Sequence, residues 1–357
     1  MSDNILWSNA PPALTCFSTG TERKHITNQR NSFDIFVELL TTTLLKWGCV
    51  WIVYGGSVRH STLPKSTSPV PPSRSYHSIS LLERFMLISA QQKKVLTHFL
   101  TQLGLTEGRG ANRDKQKKRE QLLGYIEVIH SQLRKYSKKR PVKIVECGAG
   151  NCLLSFTIAY FYTEIEPRPF RILCIDRNRA LMGKNRQRAT ELGFSNMTFE
   201  TCDIIDANID FQPTLVCSLH ACDTATDQTL AIGIESEAKH ILSVSCCQHS
   251  IRKTMGSAKA NSAITRHRVF KDRLVHMIGD SLRTLILEQR GFKVDIIEFA
   301  SSRATEKNVM VRAHQKGVMT NAESEEMYVQ LSTYYQTETA LASYLSQPKS
   351  KPTDKAA

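Results

Sequence analysis

From Pro141 onward the chain alternates short β runs with helical segments, and few architectures can accommodate that alternation. Lys143–Cys147, Phe170–Ile175, Met197–Thr201, Leu215–Leu219 and Ile241–Ser245 read as strands. Cys152–Tyr162, Arg179–Leu192 (closed by Gly193) and Thr226–Ile234 read as helices between them. A long helix over Val269–Gln289 follows, with Phe270, Leu274, Met277, Ile278 and Leu285 expected on one buried face and Gly291 ending it. Repeated strand–helix–strand units demand a mainly parallel sheet with helices on both faces. The last two runs, Lys293–Phe299 and Val309–Ala313, are joined without a helix, so they must pair antiparallel.

Parallel order with a reversed final strand is the outline of an α/β, Rossmann-like class I methyltransferase sheet. It is expected over residues 141–315, behind a helical and basic N-terminal extension at 76–140. Within that extension the apolar spacing predicts a helix over Ser80–Leu105, then a basic loop opened by Gly108 and Gly110, then a helix over Gln121–Leu133. Residues 1–75 carry no recognisable motif and end in a Pro/Ser-rich linker at 61–75. Residues 316–357 read as a C-terminal helix and polar tail.

The charge is uneven. Lys and Arg number 47 against 33 Asp and Glu, a formal +14. Residues 113–143 hold eleven basic and three acidic side chains, and residues 252–273 hold seven and one, so these two segments carry the whole excess. A polyanion such as RNA is the partner this implies, with phosphate contacts expected from Arg113–Arg119, Arg134, Lys135, Lys138–Arg140 and the bases within 252–273. The ten cysteines lie mostly in apolar runs, which reads as reduced thiols in a cytoplasmic protein. The longest apolar stretch, Leu44–Tyr54, is too short to span a bilayer and contains Lys46. No membrane association and no protein partner are expected.

Three features in chain order point to a nucleoside ligand. Glu146-Cys147-Gly148-Ala149-Gly150 stands where the first strand turns into a helix, where glycines permit close backbone approach and the helix N-terminus is expected to offer unpaired amides. Asp176 ends the second strand, where a carboxylate can accept both ribose hydroxyls; its alternative role is a helix N-cap. Asp203 follows the third strand, on the side expected for the adenine, or else simply forms a turn. Leu153 stands where a dinucleotide fingerprint wants a small residue, which disfavours a diphosphate and a nicotinamide oxidoreductase. S-adenosylmethionine is then the economical cofactor, bound by Gly148, Gly150, Asp176, Asp203 and the end of the fourth strand at Leu219, with Glu146 holding the loop or the methionine end.

Leu219-His220-Ala221-Cys222-Asp223-Thr224-Ala225-Thr226-Asp227 follows the fourth strand, and Ser245-Cys246-Cys247-Gln248-His249 follows the fifth. His220 or His249 is a candidate general base, with Asp223 as its orienter. His220, Cys222, Cys246, Cys247 and His249 could bind metal if the two loops converge. Cysteines also end buried strands well, and the spacing is not a CxxC pair, so no metal is expected.

These stretches, with Thr305-Glu306-Lys307-Asn308 before the last strand, resemble the methyltransferase domain family that includes the vertebrate methyltransferase-like 25 group and many bacterial proteins. A more distant similarity is to the tRNA 2′-O-methyltransferase that modifies position four, which has comparable His-x-Cys-Gly and Cys-Cys-His-His stretches. The resemblance covers about Asn112 to Ala313. It implies S-adenosylmethionine-dependent methyl transfer, and together with the basic segments it gives RNA as the expected acceptor, tRNA being one candidate, although a particular tRNA specificity does not carry over. A protein or small-molecule acceptor, or a non-catalytic RNA-binding role, are the competing expectations.

Overall fold

The structure, a computed structural model, describes residues 87–105, 113–256, 261–302, 308–317 and 322–346. The expectations for residues 1–86, for the Gly108/Gly110 loop, for Thr305–Lys307 and for the tail beyond 346 lie outside the described residues.

Seven strands form one sheet among them: β1 (Val142–Cys147), β2 (Phe170–Ile175), β3 (Met197–Glu200), β4 (Leu215–Leu219), β5 (His240–Val244), β6 (Phe292–Glu298) and β7 (Val309–Gln315). Their order is β3-β2-β1-β4-β5-β7-β6. The five central strands pair in parallel, while β7 runs antiparallel to both β5 and β6. This is the class I methyltransferase fold, reversed strand included. The order changes direction between β1 and β4, and the crevice outside the carboxyl ends of such strands is where open α/β sheets bind ligands.

Helices α1 (Ala90–Gln102), α2 (Arg113–Leu133), α3 (Leu153–Tyr160, extended by a π-helical turn through Ile165) and α4 (Arg179–Glu191) pack one apolar core with one face of the sheet. The other face is covered by α5 (Thr224–Glu235), α8 (Arg268–Gln289) and α10 (Ala340–Ser346). Short α6 (His249–Thr254) and α7 (Ser262–Thr265) lead into α8, and α9 (Ala322–Tyr335) follows β7. No described helix is long and apolar enough to cross a membrane.

Three expectations are corrected. The first described helix starts at Ala90, because Ser89 caps it reciprocally with Gln92, a Ser-x-x-Gln capping box. The basic run from Arg113 is helical, as a stretch of Lys, Arg, Gln and Glu permits, and makes up the first two turns of α2. The buried face of α8 is Val275, Ile278, Leu282, Ile286 and Leu287 together with Asp280 and Arg283, whereas Phe270 and Met277 are 51% and 66% exposed. Two polar side chains turned inward rotate the helix away from its most apolar stripe.

Helix α2 lies directly on the sheet. The buried Tyr125 hydroxyl is 2.6 Å from the Leu242 carbonyl and 3.1 Å from that of Ser218, so it satisfies carbonyls of β4 and β5. Gly124 permits this approach, because a Cβ there would overlap the Phe299 carbonyl. Gly124→Ala should destabilise the fold by about 1–3 kcal/mol through overpacking. Gly183→Ala, on α4 with open space around the added carbon, should instead stabilise by up to about 1 kcal/mol. Urea unfolding of both variants checks the contrast.

Candidate active site

The glycine loop sits at the strand-order reversal. Gly148 (φ 63°) and Gly150 (φ 53°) are both left-handed, a conformation that favours glycine. A Cβ on Gly148 would stand 3.4 Å from that of Ala221, so the loop after β1 touches the loop after β4. The two loops line the crevice together.

Several of the amides in and after the loop are engaged within the protein. Ala149 N–H donates to the Ile175 carbonyl (3.0 Å), Gly150 N–H to Asp176 Oδ2 (2.8 Å) and Cys152 N–H to the Ala149 carbonyl (2.7 Å). Ser155, in the first turn of α3, donates both its N–H (3.0 Å) and its hydroxyl to Glu146. For these four amides the expectation of unpaired donors is corrected, since the protein satisfies them itself. A loop so committed suits a ligand that carries no phosphate there, and it fits S-adenosylmethionine better than a dinucleotide. Asn185, buried on α4, completes the loop by donating to the Gly150 carbonyl (2.7 Å).

Asp176 is not the cap of α4; Asn178 is, accepting from Leu181 N–H at 3.0 Å. Each Asp176 oxygen accepts one backbone amide, from Gly150 and from Asn178 at 2.9 Å. A carboxylate has about four acceptor positions, so capacity for two ribose hydroxyls remains. Asp203 is exposed at the end of β3, ahead of the 3-10 turn Ile204–Asp206, and its side chain makes no capping bond. Leu219 is half-buried at the end of β4.

Glu146 is 3% exposed. Burial pushes its carboxyl up to about 7, against the two bonds from Ser155 that favour the charged form. It therefore ties β1 to the start of α3.

Past the end of β4 the chain is strained, with His220 at φ 67° and Asp223 at φ 58°, both non-glycine residues with positive φ. Backbone bonds tie this loop to the one after β5: His220 N–H to the Val244 carbonyl (3.0 Å) and Asp223 N–H to that of Cys247 (3.2 Å). Both Asp223 oxygens are taken by Ser250, at 2.9 Å by its amide and 2.8 Å by its hydroxyl. The His220 ring meets Gln121 of α2 through Nε2 at 3.0 Å. The structure thus engages Asp223 with Ser250. His249 is exposed at the first position of α6.

Beneath these loops lies Arg283, 1% exposed. It donates to both oxygens of Asp227 (2.8 and 3.0 Å), to Gln248 Oε1 (2.7 Å), to Asp280 (3.3 Å) and to the Asp223 carbonyl (3.4 Å). One guanidinium joins α5, α8 and both loops. Of this set, Asp227 and Gln248 stood in recognisable motifs, but nothing local marked Arg283, Ser250 or Gln121.

The loops do converge on sulfur. Cys222 and Cys246 are joined as a disulfide, which overturns the expectation of wholly reduced cysteines, and Cys247 lies beside them. Cys147, Cys152, Cys174 and Cys217 behave as expected, as small apolar core residues.

Residues 117–254 match the model of a family described as a methyltransferase domain. This stretch is similar to that domain. The match begins in α2 and ends at the last residue of α6, so it contains the glycine loop, both acids and both His/Cys loops. Similar solved structures include magnesium protoporphyrin IX methyltransferase from Synechocystis PCC 6803 with bound SAM, at 13% identity, covering 63% of this chain and 97% of that one with a TM-score of 0.38. Another is the 23S rRNA methyltransferase ErmE, at 12% identity, 54% and 70% coverage and a TM-score of 0.33. A third is the CMeT domain of the citrinin polyketide synthase, at 13% identity, 81% and 80% coverage and a TM-score of 0.38. No curated protein matches the sequence.

Two outcomes are expected of the methyltransferase domain. The Glu146 carboxyl has a folded-state pKa above its ordinary 4.5, so its contribution weakens the fold as pH rises from about 4.5 to about 7 and is constant above. Glu146→Gln keeps an acceptor for Ser155 and should flatten stability over that window, as measured by urea unfolding across pH. Arg283→Ala leaves Asp227 and Asp280 buried without their cation and should cost about 3–5 kcal/mol in the same assay.

Proposed function

We propose that the protein transfers the methyl group of S-adenosylmethionine to RNA, with tRNA as the class its His/Cys stretches resemble. The observation that carries the RNA reading is the place of the basic residues relative to the crevice. Helix α2 runs opposite to the parallel strands: Gln121, near its start, reaches His220 beyond β4, and Leu133, at its end, accepts from Arg168 (2.7 Å) just before β2. The exposed Lys115 and Lys117 therefore stand at the carboxyl end of the sheet, on the crevice side. Helix α8 precedes β6, which runs in the same direction as β5, so its exposed N-terminal Arg268 and the preceding Arg266 stand at that end too. The exposed Phe270 among these cations offers a stacking surface for an unpaired base.

Residues 134–140 lie at the opposite edge, where Lys138 pairs with Glu166 at 3.2 Å. The 113–143 segment is thus split between the two ends of the sheet, and only its first part belongs to the proposed RNA surface.

S-adenosylmethionine, when bound, supplies an electrophilic methyl on a sulfonium, and transfer depends chiefly on alignment with the acceptor. Asp176 would accept the ribose hydroxyls, Gly148 and Gly150 would let the ligand lie against the loop, and Asp203 would face the adenine. His249 would meet the acceptor as the exposed imidazole. His220, held by Gln121, and Asp223, held by Ser250, would act as positioning residues that fix the two loops.

Asp176→Ala should weaken binding of S-adenosylhomocysteine by about 2–3 kcal/mol in calorimetry. Tritiated S-adenosylmethionine offered to fractionated cellular RNA and protein should label RNA; label confined to protein would overturn the reading. Across a salt series, each of Lys115, Lys117, Arg266 and Arg268 replaced by Ala should lower the slope of log affinity for tRNA by about 0.7. Lys138→Ala and Lys139→Ala should leave it unchanged.

A further inference from the structure

The geometry points to Cys222, Cys246 and Cys247 as a thiolate site for zinc, of which the Cys222–Cys246 disulfide is the oxidised, metal-free form. Their three sulfurs lie within 4.8 Å of one another, and all three residues are half-exposed. Tetrahedral zinc with Zn–S bonds of about 2.3 Å holds its sulfurs about 3.8 Å apart. Rotation of the reduced side chains can reach that spacing.

The site is built without help from the sulfur–sulfur bond. Asp223 is clamped by two bonds to Ser250, its amide reaches the Cys247 carbonyl, and Cys222 sits between the two strained residues His220 and Asp223. Arg283, through Asp227, Gln248 and the Asp223 carbonyl, fixes both loops from below. Reduction would therefore leave the three sulfurs clustered. Cys147, Cys152, Cys174 and Cys217 differ in kind, being buried in the core, where burial pushes Cys147 up to about 12, and Cys202 lies outside the cluster. Neither imidazole is needed, since Gln121 engages His220 and three thiolates leave one tetrahedral position for water or an exchangeable ligand.

The chemistry balances with a dithiol reductant. The dithiol gives two electrons and two protons to the disulfide, becoming a disulfide itself and leaving two thiols on the protein. Zinc then displaces one proton from each of the three thiols, so binding releases three protons and depends on pH. Exchange in reverse with a small-molecule disulfide takes two electrons from the Cys222 and Cys246 thiolates, consumes two protons and leaves a dithiol, which removes two ligands and ejects the metal.

Cobalt reports such a site directly. Full-length protein would be reduced with a phosphine, freed of reductant without air, checked by thiol titration and titrated with Co2+. A near-ultraviolet thiolate-to-cobalt charge-transfer band with tetrahedral visible bands is expected, and Zn2+ should abolish it. Cys222→Ser and Cys247→Ser should lose the band, while Cys202→Ser, outside the cluster, should keep it. Wild-type protein that shows its full thiol count and no band overturns the proposal, whatever the variants do. A band that persists unchanged in Cys247→Ser also overturns it. Both readouts are independent of methyl transfer.

Discussion

A cation that is 1% exposed has to be neutralised and hydrogen-bonded on every side, and Arg283 imposes that requirement on the region beyond β4 and β5. Asp227 neutralises it from α5, Asp280 from the next turn of α8, and Gln248 and the Asp223 carbonyl bring the two loops to it. Burial opposes its charge, but the two carboxylates more than offset this and hold the guanidinium's pKa above its ordinary value. The rotation of α8 follows from where this one side chain has to lie, and the two loops are held against it.

At the neighbouring loop the governing fact is hydrogen-bond accounting. Every polar group that is buried needs a partner, and here Glu146, Asp176 and the carbonyls of Ile175 and Ala149 supply partners for amides that a phosphate-binding loop would keep available. The same glycine spacing can serve either purpose. What distinguishes them is the set of acids at the ends of β1 and β2, which take up amides that a phosphate would otherwise meet.

Much of this was legible in the sequence because strands buried on both faces read as continuous apolar runs. Phe170–Ile175 and Leu215–Leu219 have the expected bounds, and the reversed hairpin follows from the missing helix between β6 and β7. Asp176 could be placed at a strand end from sequence, but its bond to Gly150 depends on β1 and β2 being neighbours. The loops after β4 and β5 converge for the same kind of reason, since their strands pair in register from Leu215 with His240 to Leu219 with Val244. Arg283 was illegible: a basic residue in an amphipathic helix normally faces water, and only the acids brought to it by other elements make an inward position tolerable. Ser89 with Gln92 was the opposite case, a local capping signal present in the sequence that fixes the start of α1.

The contact of Tyr125 with the Leu242 and Ser218 carbonyls has a bearing on how the chain can be cut or recombined. All the recognisable motifs lie after Val142, which invites treating that point as the start of a portable module. Yet Leu122, Tyr125, Ile126 and Ile129 of α2 are buried with the sheet residues in one core. A fragment beginning at β1 would carry every signature residue and still expose a wide oily surface, inviting aggregation in place of catalysis. In this protein the smallest transplantable unit is set by what seals the sheet and reaches further upstream than the signatures do.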